Sequence, residues 1–256
     1  MTATSNPVRA AWAAGRCARN AWLTIPDAQL AEIVAASGVA EAVTLDLQHG
    51  LFDRTSAVHA LRAVSGRGRA PFVRLPGPDA AVTGFMLDAG AVGVIAPMVE
   101  TAEEAEALVQ AVRFPPRGRR SHGPTRAGLG GADVMRGADE AVLFAMIETA
   151  AGLERCEAIA RTDGLDGLFI GPGDLGLTMG LGAAQDRSEP EIEAAFARVL
   201  AACRAAGKRA AIHASTTVYA AAMAARGFDL VTVWVDVAAV GATLAAASAT
   251  WQAAGT

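Results

Sequence analysis

Eight short apolar runs, most of them rich in β-branched residues, punctuate the chain. They lie around Ala21 to Ile25, Ala42 to Leu47, Phe72 to Leu75, Val92 to Ala96, Val142 to Ile147, Gly167 to Ile170, Arg209 to His213 and Leu230 to Trp234. Segments of helical pattern fill the intervals, and this alternation implies βα units around a parallel sheet. Thr101 with Glu104, and Ser188 with Glu191, have capping-box spacing, which satisfies free N–H groups at a helix start. Gly90 stands where a helix C-terminal cap belongs. Eight units in 256 residues predict one (β/α)8 TIM barrel spanning 1–256, since doubly wound sheets more often have about five or six strands. The exception to the rhythm is an irregular stretch at about 114–139, rich in Gly, Pro and Arg. A connection that long is usually functional or disordered. Three placements are open for it: over the barrel mouth, against a neighbouring subunit, or as a solvated insertion.

Composition refines this picture. The chain is 52% hydrophobic but only 5% aromatic, so its apolar mass is chiefly Ala, Val and Leu. No stretch approaches the roughly 20 apolar residues that cross a bilayer. Met1 to Trp22 is broken by Arg9, Arg16 and Arg19, giving neither a secretory signal nor an anchor, and a cytoplasmic protein is expected. Cys17, Cys156 and Cys203 are odd in number and far apart, which argues against a disulfide framework or a structural zinc site. A net charge of −4 without a basic run disfavours nucleic acid as partner. Of the 22 Lys and Arg residues only Lys208 is a lysine, so a Schiff base has a single candidate, located just before the seventh strand.

In a TIM barrel the reacting groups stand at the C-terminal ends of the strands. The polar residues there are Asp46, Gln48 and His49 after the second run, Arg74 after the third, Glu148 after the fifth, Asp174 after the sixth, His213 after the seventh and Asp236 after the eighth. Glu148 and Asp174 end adjacent strands, so their oxygens can converge on one Mg²⁺ or Mn²⁺; the alternative is that each caps the following helix. His49, with Asp46 beside it, has the makings of a general base oriented by a carboxylate. Arg74, in apolar surroundings, needs an anionic partner: a substrate carboxylate, an enolate oxygen or one of the metal carboxylates. His59, in a helical pattern, reads as a surface or packing residue rather than a catalytic one, and neither His122 nor His213 receives a role.

At these residues the sequence resembles the HpcH/HpaI aldolase family, within the phosphoenolpyruvate/pyruvate-domain superfamily. The likeness runs through Trp22-Leu23-Thr24-Ile25-Pro26-Asp27, Asp46-Leu47-Gln48-His49-Gly50, Val73-Arg74-Leu75-Pro76, Asp88-Ala89-Gly90-Ala91, Pro97-Met98-Val99, Pro115-Pro116-Arg117-Gly118, Ile147-Glu148-Thr149 and Ile170-Gly171-Pro172-Gly173-Asp174-Leu175. It implies a divalent-metal-dependent class II aldolase (Mg²⁺, Mn²⁺ or Co²⁺) that converts 4-hydroxy-2-oxo acids to pyruvate and an aldehyde, or the reverse. Glu148 and Asp174 are then the metal ligands, Arg74 contacts the enolate oxygen, His49 is the acid/base and Asp46 supports it. Backbone amides of Gly173 and Asp174 hold the substrate carboxylate, Trp22 and Met146 belong to the substrate site, and Asp88 reaches the histidine region of a neighbouring subunit. The family forms hexamers, which makes the Ala-rich segment 237–253 an expected interface.

Two positions depart from the common family pattern: Gln48 replaces a glutamate, and Met146 stands where the family tends to have glutamine. A thioether lacks the amide's hydrogen bonds. Rival activities are a citryl- or malyl-CoA-type lyase, an oxaloacetate decarboxylase, and a non-catalytic metabolite-binding protein.

Overall fold

A computed structural model describes residues 6–254. Its eight strands are β1 (Ala18–Leu23), β2 (Ala42–Asp46), β3 (Ala70–Arg74), β4 (Gly93–Ala96), β5 (Val142–Ile147), β6 (Gly167–Ile170), β7 (Arg209–Ile212) and β8 (Leu230–Val235). They close in sequence order into a parallel barrel, β8 returning to β1. Helix α1 (Pro7–Ala13) precedes the barrel, and α2 (Ala28–Ser37), α3 (Arg54–Gly66), α4 (Ala80–Asp88) and α5 (Ala102–Val112) follow the first four strands. The second half carries α6 (Val134–Glu140), α7 (Ala150–Glu154), α8 (Cys156–Ala160), α9 (Pro172–Thr178), α10 (Pro190–Ala205), α11 (Thr217–Arg226) and α12 (Asp236–Ala253). The expected TIM barrel is what forms, and no helix among the described residues is long and apolar enough to cross a membrane.

Alternation along each strand sorts the side chains into two sets. Outward residues such as Val43, Leu45, Val73 and Ile170 pack with the helices in the larger core. Inward residues build a second core of Phe72, Ile95, Phe144, Met146 and Phe169, which α1 closes from the strands' N-terminal side with Val8, Ala11 and Trp12. Gly93 makes room for the Phe72 ring, since a Cβ there would lie 2.2 Å from it.

β1 begins earlier than the apolar run suggested and ends before Thr24. Its polar start is legitimate interior: Asn20 donates to Thr232 (3.3 Å) and accepts from the Thr44 hydroxyl (2.9 Å) inside the barrel. Thr24 and Ile25 leave the sheet because both amides turn onto Asp236 Oδ2 at 2.7 Å. The Thr101 capping box is present. The Ser188 box is not: Glu189 is the cap residue, without a side-chain bond, and Pro190, whose ring presets a helical φ, starts α10.

Segment 114–139 joins α5 to β5 and therefore lies at the N-terminal end of its own barrel, not over the mouth. Part of it is helical, a 3₁₀ turn at Leu129–Gly131 and most of α6. Arg120 and Arg126 tie it to Asp88 and to the Ala89 carbonyl. At the other end of the chain, α12 packs against β1 and β8 where it begins and exposes Val240, Leu244 and Trp251 along its length.

Candidate active site

The C-terminal inward residues of the strands, with the first residues that follow them, bring the site together. Trp22, Asp46, Arg74, Met146, Glu148, Asp174 and His213 all line one cavity of about 230 Å³ at the C-terminal ends of the strands, with His49 at its edge. A larger cleft of about 450 Å³ lies under segment 114–139 at the opposite end; arginines and two carboxylates, Asp133 and Glu140, line it, but no histidine does.

Asp46 and Arg74 are register partners on β2 and β3. Their side chains therefore meet: Arg74 donates from Nε to Asp46 Oδ1 at 2.9 Å and from Nη2 to Oδ2 at 2.5 Å. Arg74's anionic partner is thus Asp46, none of the three candidates the sequence offered. Asp46 also accepts from Trp22 Nε1 (3.2 Å) and from the amides of Gln48 (3.0 Å) and His49 (3.1 Å). Burial by itself would raise this carboxyl, but the Arg74 hydrogen bonds and charge, with the two amides, hold it below the usual range. Asp46 supports His49 through the loop backbone rather than by orienting the imidazole, which is exposed at the cavity rim. Gly50 lets that loop double back, since a Cβ there would sit 2.2 Å from the Asp46 carbonyl oxygen. The Gln48 departure has a visible result: its Oε1 is buried without a hydrogen-bond partner.

Glu148 and Asp174 cap nothing. Thr149 caps α7, and α9 starts at Gly171 and Pro172 with no side-chain cap. Glu148 is 2% exposed, and burial pushes its carboxyl up to about 7, with the charges of Asp174 and Asp46 adding to the rise against the Met98 amide and Arg74. A buried carboxylate beside two others is the setting a divalent cation relieves. The surroundings leave space for one: a Cβ on Gly171 would come within 2.6 Å of Glu148 Oε2. Two carboxylates with small neighbours are a hard-oxygen set of the kind Mg²⁺ and Mn²⁺ accept with few protein ligands; among the described residues no group of three or more His, Cys, Asp or Glu is gathered as a metal site, here or elsewhere.

Sequence reasoning passed over two contributors. Met98 adopts φ 58°, a left-handed backbone costly for a non-glycine residue, and this aims its amide at Glu148 Oε1 at 2.7 Å. Gln185 lines the cavity from the segment after α9. Its neighbours hold it there: Asp186 accepts from the Ser215 and Thr216 amides, and buried Arg187 donates to the Leu181 carbonyl. Met98 lies in the Pro97-Met98-Val99 motif, which assigns it no role, and Gln185 lies in none of the motifs. Asp236, by contrast, is buried and holds Thr24 and Ile25 rather than facing the cavity.

Asp88 is not brought to this cavity. It ends α4 at the opposite face, paired with Arg120 at 2.5 Å. Lys208 is also remote, donating from Nζ to the Leu165 carbonyl before β6 at 2.7 Å. The thiols of Cys17, Cys156 and Cys203 are pushed up to about 12, 11 and 12, chiefly by burial. His59 is on the exposed surface of α3, and His122 lies against Phe114 with the rings tilted by 50° and their centroids 5.4 Å apart.

Comparison with known proteins yields a consistent set of likenesses. The family model described as HpcH/HpaI aldolase/citrate lyase matches residues 20–229. A hydroxypyruvate/pyruvate aldolase of Rhizorhabdus wittichii is 40% identical over 239 residues, covering 93% of this chain and 95% of the relative. A 4-hydroxy-2-oxovalerate aldolase of Rhodococcus jostii is 35% identical over 240 residues, 92% of each chain. The crystal structure of an HpcH/HpaI aldolase/citrate lyase family protein from Burkholderia cenocepacia superposes with a TM-score of 0.84 at 29% identity, covering 94% of this chain and 95% of that one.

Proposed function

Since this chain belongs to the HpcH/HpaI aldolase/citrate lyase family, we propose that it is a divalent-metal-dependent aldolase interconverting 4-hydroxy-2-oxo acids with a pyruvate-type donor and an aldehyde. The observation that carries this reading is the convergence of Glu148, Asp174 and the Asp46–Arg74 pair on one cavity. Glu148 and Asp174 would hold Mg²⁺, Mn²⁺ or Co²⁺, which when bound supplies Lewis-acid polarisation of the substrate's 2-oxo group.

The chain's own groups do the rest. The first-turn amides of Gly173 and Asp174, which a helix start leaves without intrahelical acceptors, bind the substrate carboxylate. In cleavage His49 takes the proton from the C4 hydroxyl, directly or through a water. The C4–O bond becomes a carbonyl, the C3–C4 electron pair moves into the enolate, and the aldehyde departs. Arg74 faces the oxygen on which that charge develops. Because Asp46 holds its Nε and Nη2, and Trp22 lies beneath the guanidinium at 5.0 Å, the donor needs no rearrangement as charge appears. The proton held by His49 then passes to C3, directly or through the same water, and pyruvate is released. Met146, buried on the cavity floor, and Trp22 shape the remaining wall.

Asp88 lies at the far end of its own barrel, so any part it takes in this chemistry requires a second copy. A homohexamer in which Asp88 approaches a neighbour's His49 and α12 packs on another subunit suits both features, and the cytosol is the compartment for such an assembly. The test is pyruvate release from 4-hydroxy-2-oxo acids before and after EDTA, with Mn²⁺ or Mg²⁺ returned. Chelator-sensitive activity is expected, with Arg74→Ala and His49→Ala lowering turnover about 10²- to 10³-fold while the fold is kept. Near-parental rates in both variants refute the assignment, and release from oxaloacetate alone would make the protein a decarboxylase.

A further inference from the structure

The cavity has two chemically different walls. Asp46, Arg74, Glu148 and Asp174 form a charged one, which the proposed chemistry occupies. The facing wall is neutral and polar, made by His213 at the end of β7, Gln185, Thr24 and the apolar Val235. His213 has no part in the steps above. Its Nδ1 is buried without a hydrogen-bond partner, while its ring stands edge-on to Trp22 at 4.8 Å between centroids. Burial, with the nearby Arg74 charge, pushes the imidazole down to about 4, so the ring is neutral at physiological pH.

A catalytic histidine normally has one nitrogen held by a carboxylate or carbonyl that fixes the tautomer. His213 lacks such a holder. With Nδ1 closed off, Nε2 is the nitrogen the cavity can reach, and it is free to donate in one tautomer or accept in the other. A hydroxyl has the same two-way capacity. An anion finds no charge to pair on this wall, and a methyl group would leave the imidazole desolvated and unpaired, which is costly. Gln185 adds a second two-way group to the same cavity, on the side of Gly173, its Nε2 lying 2.9 Å from where a Cβ on residue 173 would stand.

We infer that His213 is a specificity-determining residue that reads a hydroxyl on a reacting carbon or on the carbon next to it, favouring hydroxylated substrates over their deoxy counterparts. The inference rests on the aldolase reading of the same cavity. The hydroxyl belongs either to the donor, as in hydroxypyruvate, or to the acceptor, as in glycolaldehyde.

Two assay arms separate these sources. One compares hydroxypyruvate with pyruvate at a fixed aldehyde; the other compares glycolaldehyde with acetaldehyde at fixed donor, all with Mg²⁺ present. In the arm that carries the hydroxyl, His213→Leu should lower the hydroxyl-to-deoxy ratio of kcat/KM about tenfold, the effect of one hydrogen bond. His213→Gln, which keeps a donor and an acceptor, should restore most of that ratio. It also serves if the leucine variant does not fold. Unchanged ratios in both arms, or an equal loss on all substrates, overturn the inference while leaving the aldolase standing. Calorimetric titration of hydroxypyruvate and glycolaldehyde, each against its deoxy partner, reads the preference without turnover. If the parent binds neither more tightly than its partner, the inference fails whether or not carbon–carbon chemistry occurs, and absence of turnover on any substrate refutes the aldolase reading separately.

Discussion

Replacing Asp46 by asparagine removes one negative charge and almost no volume, yet it strikes the most heavily used side chain of the site. The carboxylate accepts two hydrogen bonds from Arg74, one from Trp22 and one each from the Gln48 and His49 amides. An asparagine has one acceptor oxygen, and its NH₂ must face a donor. Asp46 is 1% exposed and Arg74 9%, so the guanidinium is left buried and unpaired. Breaking such a pair from one side costs about 3–5 kcal/mol. At ~2–4 °C per kcal/mol for a chain of this size, the melting midpoint falls by roughly 6–20 °C. Thermal melts by circular dichroism across pH supply the assay. Because the folded carboxyl titrates below its unfolded counterpart, the pair contributes in full above the unfolded value of about 3.9 and is lost as pH falls through the folded one. The gap between parent and Asp46→Asn should therefore be constant from about pH 5 to 8 and close toward acid. Replacing both partners, Asp46→Leu with Arg74→Met, should recover much of the loss. A midpoint shift of Asp46→Asn under about 2 °C at pH 7, or a gap that widens in acid, refutes the argument.

Two further outcomes follow from the same geometry. Glu148, raised to about 7, is about half protonated in the folded metal-free protein near neutrality; stability from this group is present below the unfolded pKa and is lost as pH rises through 7, so Glu148→Gln should melt higher than the parent at pH 8 without metal, and added Mg²⁺ should raise the parent but not the variant. Equal melting of the two at pH 8 would contradict the burial argument. Lys208 is occupied at the far end of the barrel, so borohydride with pyruvate should leave no adduct, as intact mass shows, and Lys208→Met should keep activity within about twofold, since surface changes are near neutral; a trapped adduct would overturn the metal mechanism.

The barrel was legible in the sequence because buried parallel strands announce themselves as apolar runs; β5 and β6 begin and end where those runs do. The failures have physical causes. β1 was misplaced because its Asn20 is interior yet polar, and its partners Thr44 and Thr232 are 24 and 212 residues away. The Ser188 cap failed because a proline two residues later outweighs it. Segment 114–139 was recognisable as irregular, but its end of the barrel depended on knowing that it leads into a strand rather than out of one.

Residue type and position at strand ends were enough to nominate Asp46, His49, Arg74, Glu148 and Asp174, since strand alternation and the rule that βα loops build the pocket are local regularities. The same chain also settled the absence of a lysine near the site, because only one exists to place. Which nominees touch is another matter. The Asp46–Arg74 pairing comes from register between β2 and β3, the Met98 amide on Glu148 from a turn after another strand, and the burial that lifts Glu148 and silences His213 from closure of the whole barrel. Hydrogen bonds and desolvation are set by distances between atoms remote in sequence, so only the tertiary structure could decide them.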